Sequence, residues 1–270
     1  MQEFGFKSSV KIIDTHTHIY LKEFDADRNE VIRRAKASGI EALLLPNVDV
    51  TTLAPLFNLC DTEPGFVFPM MGLHPTSVDA SYVSQLSQVE KALSLRRYCG
   101  IGEIGIDLYW DRHHLPEQKI VFEEQLQWSR VLQLPVSIHV RNAFAEVFDS
   151  IYKVGTNCLR GVFHCFGGTM EELEEIRQLP RFKLGVNGIV TFKKSPLPEV
   201  LRQAGLEMLL LETDAPYLAP SPYRGKRNEP SFLWETAGKI ASIFETDLDN
   251  ALETIKKSTL KIFDIQHISF

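Results

Sequence analysis

Eight short apolar runs, each trailed by a longer amphipathic stretch, constrain this chain more than any other feature in it. The runs are Val10 to Asp14, Ala42 to Val48, Val67 to Gly72, Cys99 to Gly105, Pro135 to Val140, Gly161 to Phe166, Phe182 to Val186 and Met208 to Leu211. Short runs of this kind suit strands buried on both faces, and such strands belong to parallel sheets covered by crossover helices. The segments between them, among them Asp25 to Ser38, Leu115 to Leu134 and Met170 to Leu179, carry apolar residues at helical spacing with acidic first turns. Two further helical patterns, Pro230 to Phe244 and Leu248 to Phe263, follow the eighth run. The order predicts an α/β fold, a (β/α)8 TIM barrel with extra C-terminal helices as a closing layer. An open doubly wound sheet is the second choice. No Pro/Gly/Ser-rich linker divides the 270 residues, so 1–270 is expected to be a single domain.

Charge and cysteines narrow the function classes. With 29 Lys and Arg against 35 Asp and Glu, the formal charge is −6, so no global basic field holds the protein along a duplex and any nucleic-acid contact must be local. Cys60, Cys99, Cys158 and Cys165 lie far apart without a C-x-x-C pair, which argues against a disulfide framework or a zinc ribbon and predicts buried thiols in a reducing cytosol. Met1 to Ser9 lacks a basic region followed by a long apolar run, and no segment approaches the ~18 uninterrupted apolar residues of a membrane helix. A cytoplasmic protein without a membrane partner is expected.

The chemistry gathers at the ends of the runs. In Asp14-Thr15-His16-Thr17-His18 two histidines separated by one residue follow an apolar strand, and alternation puts both imidazoles on one side. Alone, such a pair is as readily the start of a polar loop. Glu103, His139, His164 and Asp214 stand near the ends of other runs, and a barrel brings the C-terminal ends of its strands to one rim. A single histidine in an apolar run is more often a hydrogen-bonded core residue, but four of the chain's eight, His16, His18, His139 and His164, fall at strand ends. Four imidazoles and two carboxylates are too many for one tetrahedral zinc and suit two divalent cations with positions open to water and substrate. Zinc, manganese, cobalt or nickel fit the nitrogen and oxygen donors, and magnesium does if carboxylate and water dominate.

Gly100-Ile101-Gly102-Glu103-Ile104-Gly105 satisfies the dinucleotide fingerprint G-x-G-x-x-G, but no helix pattern starts at its end and Glu103 would repel a pyrophosphate. No nucleotide cofactor is expected. The glycines instead let the backbone pass close beneath the site. Arg141, Lys226 and Arg227 are candidates for holding substrate phosphates, although a charge run such as Tyr223 to Glu229 is more often a solvated face. His74 could donate to a phosphoryl oxygen or protonate a leaving group, or be a loop imidazole bonded to backbone. Asp107 could orient a neighbouring ligand. His113, His114 and His267 are read as surface residues. The short basic run implies few phosphate contacts, hence a preference for single-stranded or frayed ends.

Seven motifs in order, Asp14-Thr15-His16-Thr17-His18, Gly72-Leu73-His74-Pro75, Gly102-Glu103-Ile104-Gly105-Ile106-Asp107, Ile138-His139-Val140-Arg141, His164-Cys165-Phe166, Glu212-Thr213-Asp214-Ala215-Pro216-Tyr217 and Arg227-Asn228-Glu229-Pro230, resemble those of the TatD family of metal-dependent deoxyribonucleases, of amidohydrolase-like fold. The resemblance implies two divalent metal ions and exonuclease or phosphodiesterase action on DNA, with RNA and abasic sites as variants. Carried over, it puts His16, His18, Glu103 and Asp214 on one cation and Glu103, His139 and His164 on the other, with Glu103 bridging. Catalysis would then be an in-line attack of an activated water, with Asp214 taking its proton. Phe166-Gly167-Gly168 departs from the family pattern, in which serine commonly follows the phenylalanine. Rival readings are a hydrolase of small esters, amides or lactones, an aminoacyl-tRNA deacylase, and a non-enzymatic scaffold.

Overall fold

All eight apolar runs become strands in a computed structural model that describes residues 8–265. His267 and most of the Met1 to Ser9 stretch lie outside the described residues. The strands are β1 (Ile12–Asp14), β2 (Ile40–Pro46), β3 (Val67–Met71), β4 (Gly100–Asp107), β5 (Val136–Arg141), β6 (Gly161–Phe163), β7 (Phe182–Val186) and β8 (Leu209–Leu211). Between and after them run α1 (Arg28–Ala37), α2 (Leu53–Thr62), α3 (Tyr82–Ala92), α4 (Leu115–Leu132), α5 (Phe144–Val154), α6 (Met170–Arg177), α7 (Leu197–Ala204), α8 (Leu233–Ile243) and α9 (Leu248–Ile262). Each strand pairs in parallel with the next, in the order β1 to β8. This is the (β/α)8 barrel, with α9 as the surplus C-terminal helix.

The two ends of the sheet are stitched instead of laddered. Thr15 donates from both its backbone nitrogen and its hydroxyl to Leu211 O, each at 3.0 Å. His18 N donates to Ala215 O at 2.7 Å and Asp214 N to His16 O at 2.9 Å. Below them the buried Asp14 carboxylate accepts from Thr213 N at 2.9 Å and from Thr213 Oγ1 at 2.5 Å.

Two apolar clusters follow from the alternation of the strands. Leu43 and Leu45 face outward and pack with the helices, for example with Val31 and Ile32 of α1 and Leu56 and Leu59 of α2. Ala42 and Leu44 face inward with Ile13, Phe68, Met70, Cys99, Val162 and Leu210. Ile262, Phe263 and Ile265, at and just beyond the end of α9, join this inner cluster and stopper the barrel at the N-terminal end of its strands. The opposite end is left for chemistry.

The glycine fingerprint lies wholly within β4, and α4 starts only at Leu115. Gly105 is the position with no alternative: its φ is +148° and a Cβ there would come 1.9 Å from His139 O. A side chain would push β5 and its histidine away. Cys60 and Cys99 are buried and Cys165 partly so, but Cys158, in the loop between α5 and β6, is exposed, which corrects the expectation of four buried thiols. No helix of the described residues is long and apolar enough to cross a membrane.

Candidate metal centre

The stitches at the barrel's edge aim the paired histidines. His16 N donates to Asp14 Oδ1 at 3.3 Å, and Thr17 N donates to Leu44 O at 3.1 Å. This keeps residues 15–18 extended past the end of β1, so the spacing of two puts His16 and His18 side by side. Their Nε2 atoms face each other at 3.1 Å. The far nitrogens are fixed: His16 Nδ1 lies 3.1 Å from Ser137 Oγ, and His18 Nδ1 lies 3.0 Å from Tyr20 Oη, which donates to Pro46 O at 2.5 Å.

Glu103, on β4, reaches both halves of the cluster. Its Oε2 lies 3.1 Å from His16 Nε2 and 3.5 Å from His18 Nε2. Its Oε1 lies 2.9 Å from His139 Nδ1, 3.2 Å from His74 Nε2 and 3.8 Å from His164 Nε2. Asp214 Oδ1 completes the near side at 3.6 Å from His18 Nε2, 3.8 Å from His164 Nε2 and 4.0 Å from His16 Nε2. Asp214 follows β8 with φ +59°, in the left-handed region that aspartate and asparagine enter more readily than most residues. All six expected ligands therefore converge, and His74 converges with them.

The charges balance inside the cluster. Burial favours a protonated Glu103, but His74, His16, His164 and His139 outweigh it and hold the carboxylate well below its usual range. Burial likewise opposes ionisation of Asp214, and His164, His18 and His16 overcome it. Among the rings, burial beside His164 drives His16 down to about 4, its ring stacked 3.4 Å from that of His164 between centroids. Burial also works against a charged His164, yet Glu212, Glu103 and Asp214 lift it to about 9.

Two ionised carboxylates buried among imidazoles are a cation's donor set. The spacing is close to a cation's: His16 Nε2 stands 3.1 Å from both His18 Nε2 and Glu103 Oε2, and ligands about 2.0–2.2 Å from one tetrahedral zinc lie roughly 3.3–3.6 Å from each other. Compact groups with mutually close ligand atoms include His16, His18 and Asp214; His16, Glu103 and His164; and His74, Glu103 and His139. The residues fit divalent cations on both sides of Glu103.

Supporting residues that the sequence reading passed over hold these groups in place. Glu212 Oε1 lies 3.0 Å from His164 Nδ1 and accepts from Cys165 N at 2.6 Å. Gly185 makes room for it, since a Cβ there would meet Glu212 Oε2 at 2.2 Å. Two buried glutamines on α4 clamp the loops after β3 and β4: Gln125 accepts from Leu73 N at 2.7 Å, and Gln118 accepts from Asp107 N at 2.8 Å. A glutamine on the apolar face of a helix was the available signal. Asp107 lies against His139, its Oδ2 2.9 Å from His139 Nε2. His74 is bonded to backbone, its Nδ1 accepting from Thr76 N at 3.1 Å, while Nε2 faces Glu103 at 3.2 Å.

The three cations expected at phosphates separate. Arg141 is exposed at the end of β5, its guanidinium 3.8 Å from the centroid of the Tyr109 ring. Lys226 is exposed, 6.0 Å from the centroid of the Tyr223 ring. Arg227 is a correction: its terminal nitrogens donate to Asp27 Oδ2 at 2.7 Å and Glu23 O at 2.6 Å, so it clasps the segment before α1. Beside it Glu229 pairs with Arg34 at 2.6 Å. His113 is exposed, and His114 is half-buried and bound to Asp111 at 2.6 Å. Gly167 is exposed, and a Cβ there would meet only Cys165 O at 3.8 Å, so the departure from serine has no steric cause.

The family model described as TatD related DNase matches residues 13–264. The protein YabD of Bacillus subtilis (strain 168), described as an uncharacterized metal-dependent hydrolase, is 33% identical over 261 residues, covering 94% of this chain and 99% of its own. The 3′-5′ ssDNA/RNA exonuclease TatD of Pantoea vagans (strain C9-1) is 29% identical over 238 residues, covering 86% and 91%. Among solved structures, the TatD homologue YjjV of Escherichia coli K12 superposes with a TM-score of 0.87 at 26% identity, covering 94% of this chain and 98% of that one.

Proposed function

Given that the chain belongs to the TatD-related DNase family and is a metal-dependent hydrolase, we propose that it hydrolyses phosphodiester bonds at the ends of single-stranded nucleic acid, DNA foremost. The observation that carries this reading is Glu103, with one oxygen turned to His16 and His18 and the other to His139 and His164. In this reading His16, His18, Glu103 and Asp214 hold one cation and Glu103, His139 and His164 the other. Two such ions supply Lewis acidity, polarising the phosphoryl group and acidifying the attacking water.

The chain's own residues do the rest. Asp214, kept ionised by His164, His18 and His16, accepts the proton of the attacking water. His74 carries its proton on Nε2, since Nδ1 is an acceptor for Thr76 N, and it donates that proton to a phosphoryl or leaving oxygen. Arg141 and Lys226 hold flanking phosphates as point contacts. A relative named as an ssDNA/RNA exonuclease supports the substrate class. The −6 charge supports few backbone contacts, and so frayed or single-stranded ends over duplex.

The test is incubation of the purified protein with end-labelled single- and double-stranded DNA and RNA in magnesium, manganese or zinc. A metal-dependent ladder of progressively shorter single strands is expected. Turnover of carboxyl esters, amides or lactones with no strand shortened in any metal would replace this reading with the small-substrate one.

A further inference from the structure

We propose that Tyr109, Trp110 and Arg141 form a stacking subsite for a nucleobase beside the metal cluster. Large exposed apolar side chains are uncommon in the described residues, and most of them sit on the outer helices, such as Val83 on α3, Ile120, Val131 and Leu132 on α4, and Tyr152 on α5. Tyr109 and Trp110, like Tyr217 after β8, lie on the rim that carries the cluster: they follow the C-terminal end of β4 and are 55% and 68% exposed. Their rings meet edge to face, centroids 5.0 Å apart at 89°. The Arg141 guanidinium lies over Tyr109 at 3.8 Å and 5.5 Å from the Trp110 centroid.

The platform is fixed relative to the reacting groups. Asp107 Oδ1 accepts from Tyr109 N and Trp110 N, both at 2.9 Å, while its Oδ2 lies 2.9 Å from His139 Nε2. One carboxylate thus joins the aromatic loop to the cluster, and Gln118 holds the backbone of that same residue. An aromatic pair of this exposure, with an arginine over one face of the tyrosine and its neighbour tryptophan open to solvent, is sequence-tolerant recognition of a base, since each base presents a π-face. A second peptide has no such reason to need the arginine over the ring or the tie to His139.

This inference rests on the phosphodiesterase reading, and the experiment separates the two. Affinity is measured by anisotropy, in chelator so that nothing is cut, for a labelled short oligothymidylate and for an abasic strand of equal length. Wild type is expected to favour the thymidylate by roughly 5- to 150-fold, the range that loss of one stacked base produces. Trp110→Ala and Tyr109→Ala should each erase most of that preference, and Trp110→Phe should keep it. Thymidylate should also quench Trp110, whose signal is separable because Trp128 and Trp234 are only 8% and 3% exposed. Equal wild-type affinity for both strands, or a Trp110→Ala protein that still prefers thymidylate, overturns the subsite. Melting curves of the variants, whose replaced side chains face solvent, verify folding. If the subsite fails while metal-loaded wild type still shortens strands, the phosphodiesterase reading stands. If base preference holds and no strand is shortened in any metal, only that reading falls.

Discussion

Glu103 uses both carboxylate oxygens, and an amide can use only one as an acceptor. Glu103→Gln should therefore bind less than the wild-type complement of metal, measured by elemental analysis after dialysis, and lose at least about 10²-fold in turnover. Asp214→Asn is the cleaner probe of chemistry, since asparagine tolerates the φ of +59° that the backbone adopts there. It should fold normally and lose roughly 10²- to 10⁴-fold in kcat, the usual contribution of a proton-transferring group. Full metal-dependent activity in Asp214→Asn would remove this residue from the mechanism. His164 sets a pH dependence: its pKa is lifted from 6.5 to about 9, so in chelated protein the folded state keeps a proton that the unfolded chain releases between those values. That stabilisation is complete below about 6.5 and disappears as pH rises through about 9. A cation must displace the same proton, so metal affinity should climb over the window, with proton release at pH 7 in calorimetry across buffers of different ionisation enthalpy. Finding no release there would contradict the assignment of His164 as a ligand.

At the level of elements, what could be read from sequence was what local pattern determines. Each strand appeared as an apolar run, and His16 and His18 were legible as a pair because a spacing of two on an extended chain leaves little freedom. Their convergence with Glu103, His139, His164 and Asp214 was legible because a barrel gathers strand ends. Interactions between distant segments were not. Arg227 resembled a free cation until the segment before α1 placed Asp27 against it, and Glu212 was indistinguishable from a core residue until β7 offered Gly185 as the gap for its carboxylate. Gln118 and Gln125 likewise gain meaning only when α4 lies against the loops after β4 and β3. The end of α9 offers a test of the stopper: Phe263→Ala should cost about 3–5 kcal/mol of stability in denaturant titration. Because Phe263 packs at the strand starts, kcat should stay near wild type. A large fall in kcat without loss of stability would mean that the two ends of the barrel are coupled.

For the whole molecule, the join between β8 and β1 has a consequence for how the ring is kept shut. Elsewhere neighbouring strands share a ladder, but here the first and last staves meet through a handful of bonds from Asp14, Thr15, His16 and His18 to Leu211, Thr213, Asp214 and Ala215. His16 and His18 belong to the first stave and Asp214 to the last, so an ion gripped by all three is a rivet across the hoop's narrowest fastening. Chelation should accordingly raise amide exchange at Thr15, His18 and Asp214 before it does so at β4 or β5, a pattern readable by mass spectrometry. Uniform loosening of every strand would show instead that the hoop holds without its rivet.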